Sequence, residues 1–134
     1  MSRLTRAAFL AGLAALPIAG AAQAANTVQR VRFPRGTMGT IIHGRIRGYD
    51  VIDYLVGVRS GQQMTVSLRA DNDSTYFNVS APGESEAFYH GDSDGGDAQF
   101  TTDTNGDYKV RVYIYRNAAR EGLVSNFTLE ISIQ

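Results

Sequence analysis

Arg116 and Arg120 stand four residues apart in the run Arg-Asn-Ala-Ala-Arg. On a helical turn that spacing puts both guanidinium groups on one side. Two planar forks side by side can grip carboxylates, and the same pair can equally serve as a solvated connector. A second group is Arg47-Gly-Tyr-Asp50. A Tyr that follows a Gly in a strand connection is either an exposed contact residue or a packed corner. A third group is acidic: Asp92, Asp94 and Asp97 share a Gly-rich stretch, with Asp103 and Asp107 beyond it. Clustered hard oxygens can hold calcium, but the full EF-hand ligand pattern and its terminal Glu are missing. Asp, Gly and Asn are also the residues of ordinary turns. His43 and His90 have no neighbours that read as a nucleophile or a metal site. No Gly-x-Ser-x-Gly elbow and no phosphate loop occurs. The expectation is a protein that is not an enzyme and needs no cofactor.

Alternation of period two marks the elements that must position these groups. Tyr108, Val110, Val112 and Ile114 share one face, and Lys109, Arg111, Tyr113 and Tyr115 the other. Phe127, Leu129, Ile131 and Ile133 alternate with Thr128, Glu130 and Ser132, as Met64, Val66 and Leu68 do with Thr65, Ser67 and Arg69. Tyr54, Val56 and Val58 repeat the pattern after Asp53, and Ile42 and Ile46 flank Gly44. Each run reads as a half-buried strand. Further strands are expected near residues 28–33 and 75–80. Turn residues separate the runs: Pro34-Arg35-Gly36, Arg47 to Asp50, a tight hairpin at Ser60-Gly61-Gln62, Asp71-Asn72-Asp73, and Pro82-Gly83. Asn105-Gly106 is the strongest hairpin signal. About eight short strands with such turns predict a single antiparallel β-sandwich of jelly-roll or Greek-key type. Residues 116–122 form the one plausible helical turn, just before the last strand.

The first 24 residues stand apart from this pattern. Arg3 and Arg6 precede an apolar run over residues 7–19, and Ala22-Gln23-Ala24 places small residues where a signal peptidase reads them. This predicts a cleaved secretory leader rather than a membrane span, which needs ~20 apolar residues. Removing 24 residues from 134 leaves 110 for one domain, residues 25–134. That is enough for a core without staples, and the chain has no Cys to form them. The leader takes two of the 13 basic residues, so 11 face 13 acidic ones in the remainder. A slightly acidic domain argues against a nucleic-acid partner.

Taken together, these residues resemble the periplasmic inhibitors of goose-type lysozyme, a branch of the β-sandwich group related to bacterial pre-peptidase C-terminal domains. The segments carrying the resemblance are residues 44–50, Tyr54 with residues 60–67, residues 106–112, Arg116 to Arg120, and residues 127–133. The combination of Gly-Tyr-Asp with Arg-Asn-x-Ala-Arg is the more specific part. The resemblance implies a periplasmic protein whose partner is goose-type lysozyme. It also implies that Tyr49, Arg116 and Arg120 enter the enzyme's substrate cleft, with a further contact from Asn105. Residues 85–99 match no family feature. The acidic stretch from Asp92 to Asp107 motivates the alternative of an exported β-sandwich module binding calcium or a glycan, with Asp92, Asp94 and Asp97 as the metal candidates.

Overall fold

The computed structural model describes residues 23–134. The leader reading therefore lies outside the described residues over positions 1–22. The described chain forms β1 (Asn26–Arg30), β2 (Gly39–Arg47), β3 (Val51–Val58), β4 (Gln63–Ala70), β5 (Thr75–Ser80) and β6 (Tyr89–His90). After these come α1 (Gly91–Asp94), β7 (Asp97–Thr101), β8 (Gly106–Ile114), α2 (Arg116–Arg120) and β9 (Val124–Ile133). The strands make a sandwich of two sheets, with orders β2-β9-β4-β7 and β1-β3-β8-β5-β6.

The period-two runs bury the faces expected of them. Met64, Val66 and Leu68 from β4 and Phe127, Leu129 and Ile131 from β9 line one inner face. Tyr54 and Val56, Phe77 and Val79, and Tyr108, Val110 and Val112 line the other. Aligned sheets interdigitate such rows into one core. The Tyr54 and Phe127 rings meet edge to face across it, with centroids 6.4 Å apart. Gly44 on β2 lies over the Phe127 ring, where any side chain would overlap it.

Several connections differ from expectation. Ser60-Gly61-Gln62 and Asn105-Gly106 are not hairpins. The first joins β3 in one sheet to β4 in the other, and the second leads from β7 to β8 across the core. Turn residues fix a reversal of the chain, but not whether the returning strand pairs with its predecessor or arches over to the opposite sheet. Among consecutive strands, β5 and β6 alone are hydrogen-bonded neighbours. β1 pairs in parallel with β3, an exception in an otherwise antiparallel sandwich. It can do so because the chain leaves β1 through a turn at Pro34–Thr37 and enters the other sheet as β2. The first strand also ends earlier than expected, at Arg30.

Residues 85–99, unmatched at the level of sequence, hold β6, α1 and the start of β7. The Tyr89 hydroxyl organises this stretch, lying 3.1, 2.8 and 3.1 Å from the carbonyls of Asp94, Gly95 and Asp97. Burial, then the charges of Asp94 and Asp97, raise its pKa and keep it a neutral donor.

Candidate functional site

At one end of the sandwich the turn from β2 to β3 meets α2. Asp50 N–H donates to the Arg47 carbonyl at 3.0 Å, closing a four-residue turn. Gly48 takes a φ of 59° inside it, while among the described residues no non-glycine has positive φ. Glycine at that position is what a type II′ turn requires. Gly48 is also where the two loops touch. Its N–H donates to Leu123 O at 2.9 Å, and a Cβ there would be in van der Waals contact with Ala119 O. The turn is thus fastened to the segment after α2, and Tyr49 is lifted outward at 56% exposure.

α2 is a single turn held from below. Tyr115 N–H donates to Ser74 O at 2.7 Å, and the Tyr115 carbonyl accepts from Ala118 and Ala119. Ala118 and Ala119 are buried, which leaves Arg116 and Arg120 exposed on the opposite side at the expected spacing. Gly122, at φ 71°, reverses the chain towards β9. Each arginine shares a groove with Tyr49. Arg116 lies in an open groove of about 410 Å³ with Tyr49, Val51, Arg111, Tyr113 and Tyr115. Arg120 lines a second groove with Tyr49, Arg47 and Asp50. The phenol ring therefore stands between two cationic flanks. Among the described residues, neither Arg116 nor Arg120 forms an ion pair, in contrast to Arg30, Arg69 and Arg111.

Several residues of this end carry no contact role in the sequence reading. Arg47 is exposed beside Arg120 and adds a third guanidinium. Asp53, 5% exposed, takes two hydrogen bonds from Arg111 at 2.6 and 2.8 Å. Their types were visible, but their pairing depends on the β3–β8 register, which sets Asp53 opposite Arg111. Tyr113 lines the same groove. Burial, then Asp92, Tyr76 and Tyr115, push its phenol up to about 12, so it stays neutral beside Arg116.

Asn105 lies elsewhere. It precedes β8, and α2 follows β8, so the strand separates them by about 26 Å at ~3.3 Å per residue. At that far end its Oδ1 accepts from Ser60 N–H at 2.8 Å, bracing the β3–β4 connection. The structure does not bring Asn105 together with Tyr49, Arg116 and Arg120. Nor do the acidic candidates converge. Asp94 accepts from His90 N–H at 2.9 Å, and Asp97 pairs with Arg69 at 3.2 Å. The Ser67 hydroxyl first, and Arg69 after it, hold the Asp97 carboxyl below its usual range. Among the described residues no three acidic, His or Cys groups gather as a metal site would need. Asp92 and Asp94 lie in α1, and Asp97 begins β7. His43 is exposed, its Nδ1 3.2 Å from Thr128 Oγ1.

Neither family models nor curated protein sequences give a match to the chain. Solved structures do. The periplasmic inhibitor of g-type lysozyme PliG from Aeromonas hydrophila is 34% identical with a TM-score of 0.77, over 84% of this chain and 100% of that one. PliG from Salmonella Typhimurium is 29% identical with a TM-score of 0.65, over 84% of this chain and 100% of that one. The pre-peptidase C-terminal domain of a Bacillus anthracis collagenase, 19% identical with a TM-score of 0.58 over 84% of this chain and 100% of that one, shares the fold. With 34% identity across the whole of the Aeromonas protein, this chain belongs to the PliG family of periplasmic inhibitors of g-type lysozyme, proteins that act upon an enzyme rather than as one.

Proposed function

We propose that this protein is exported to the periplasm, loses its first 24 residues, and inhibits goose-type lysozyme by inserting Tyr49, Arg116 and Arg120 into the substrate cleft. The observation that carries this reading is the convergence of the three side chains at one end, with Tyr49 in both arginine-lined grooves. Lysozymes cut glycosidic bonds with carboxyl groups set in a cleft. Arg cannot deprotonate at working pH, and its fork matches a carboxylate, so two of them oppose such a cleft in any buffer. A rigid phenol between them can fill a sugar subsite at little entropic cost, as aromatic anchors do at tight interfaces. The scaffold suits insertion because both loops are hydrogen-bonded to one another and pinned to strand ends. That the solved relatives are inhibitors of g-type lysozyme supports the choice of partner.

The test is a titration of goose-type lysozyme activity with the purified chain starting at Ala25, alongside chicken-type enzyme. Stoichiometric loss of goose-type activity is expected, and unchanged activity at high molar excess contradicts the reading. Asn105→Ala sharpens the result. It removes a hydrogen bond at the far end, so it should cost about 1 kcal/mol of stability in denaturant unfolding. It should leave the inhibition midpoint where it was. A large loss of inhibition from this variant would move the interface to the other end of the sandwich.

A further inference from the structure

The chain enters the fold beside the Tyr49 turn. The Ala25 nitrogen lies 2.8 Å from Asp50 Oδ1, and Asp50 Oδ2 accepts the Arg47 N–H at 3.3 Å. One carboxylate thus joins the start of the chain to the turn that carries Tyr49. Val51 N–H donates to the Ala25 carbonyl at 2.9 Å, fixing Ala25 one residue before the parallel β1–β3 ladder begins at Asn26 and Val51. The two residues upstream lie over the same place. Gln23 and Ala24 line the groove that also holds Tyr49, Arg47 and Arg120.

We propose that cleavage of the Ala24–Ala25 bond completes the binding end, by freeing an α-ammonium that pairs with Asp50 and by clearing Gln23 and Ala24 from the Arg120 groove. A leader peptidase of the export pathway supplies the reaction, and water supplies the atoms. The C–N bond between Ala24 and Ala25 breaks, the hydroxyl of water goes to the Ala24 carbonyl carbon, and the freed amine of Ala25 is protonated at neutral pH. The nitrogen that donates to Asp50 as a neutral amide in the longer chain then donates as a cation from the same position. A charge-assisted bond is roughly twice as strong as its neutral counterpart. The ion pair would steady the turn that presents Tyr49 and leave Arg120 open to a partner's carboxylate. The inference rests on the proposed function in two separable ways: the ion pair on the start at Ala25, and the cleared groove on lysozyme as partner.

Four proteins test it: the chain starting at Ala25 and the chain keeping Ala22-Gln23-Ala24, each with Asp50 and with Asp50→Asn. All four are released from a cleavable fusion, so that no other residue precedes them. Thermal midpoint and lysozyme inhibition are read for each. With Asp50 present, the retained tripeptide is expected to lower the midpoint by a few degrees and to weaken inhibition at least fivefold. With Asp50→Asn, it should no longer move the midpoint. Equal midpoints for the two Asp50 chains overturn the pairing, as does the same drop with and without Asp50. Equal inhibition by the two Asp50 chains overturns the clearing of the groove. If none of the four inhibits, the lysozyme reading fails while the midpoints still decide the ion pair. The mass of the exported protein must also correspond to a start at Ala25, and any other start overturns the proposal.

Discussion

Replacing Arg116 and Arg120 together by Ala is expected to weaken inhibition of goose-type lysozyme by about a thousandfold. Each arginine stands free of any ion pair among the described residues and flanks an exposed phenol. Truncating such a residue at the centre of an interface typically costs ~2 kcal/mol or more, and each ~1.4 kcal/mol is tenfold in affinity. Two of them give roughly three decades. The fold should be unaffected, because the face of α2 that packs inward is Ala118 and Ala119. The thermal midpoint therefore separates a lost contact from a lost fold. Arg116→Lys with Arg120→Lys keeps the charge and loses the planar fork, so it should fall between wild type and the double Ala variant. If the Lys pair inhibits as well as wild type, charge alone acts and the bidentate geometry is irrelevant. If the Ala pair inhibits as well as wild type, these residues do not form the site.

The largest effect on stability is expected at Phe127. Its ring is 3% exposed, meets Tyr54 edge to face, and fills the space that Gly44 leaves open. Phe127→Ala should cost about 3–5 kcal/mol, the lost burial plus the cavity left behind. In a domain of this size that is a fall of roughly 15–30 °C in the midpoint. Gly44→Ala should also destabilise, by overlap of its new methyl group with the same ring. The informative protein is the double variant. With the ring gone, the methyl group enters empty space, so Gly44→Ala on the Phe127→Ala background should cost little or even recover stability. Strict additivity of the two losses would show that Gly44 and Phe127 are not packed on one another.

Much of this architecture could be read from residue types. Four consecutive inward residues of β8, from Tyr108 to Ile114, leave little choice but a strand with one face in the core, and β4 and β9 are equally plain. Arg116 and Arg120 were legible for the same reason: a spacing of four on a helical turn fixes the side on which they emerge. Other features depend on information that no local window carries. In β7 just Ala98 is fully buried, with Phe100 partly buried against the core, and one small and one aromatic inward residue are too short an alternation to recognise. β6 and α1 span two and four residues; β6 is held by its pairing with β5, and α1 by hydrogen bonds from Gly91 to Asn78 and from Tyr89 to the carbonyls of Asp94 and Gly95, rather than by propensity. The change of sheet at residues 60–62 is set by the pairing of distant strands, so a hairpin sequence there connects two sheets. The place of Asn105 is also beyond a local window, because the length of β8 sets it at the opposite end from α2.

If Tyr49 and its flanking arginines occupy the sugar-binding cleft itself, this protein and a bound sugar must exclude one another. Binding of the chain starting at Ala25 to goose-type lysozyme would be measured by calorimetric titration, with and without a saturating chito-oligosaccharide in the cleft. Competition is predicted: apparent affinity should fall in proportion to oligosaccharide concentration, and by the same factor for Asn105→Ala. An affinity indifferent to the oligosaccharide would place the contact outside the cleft and contradict the account.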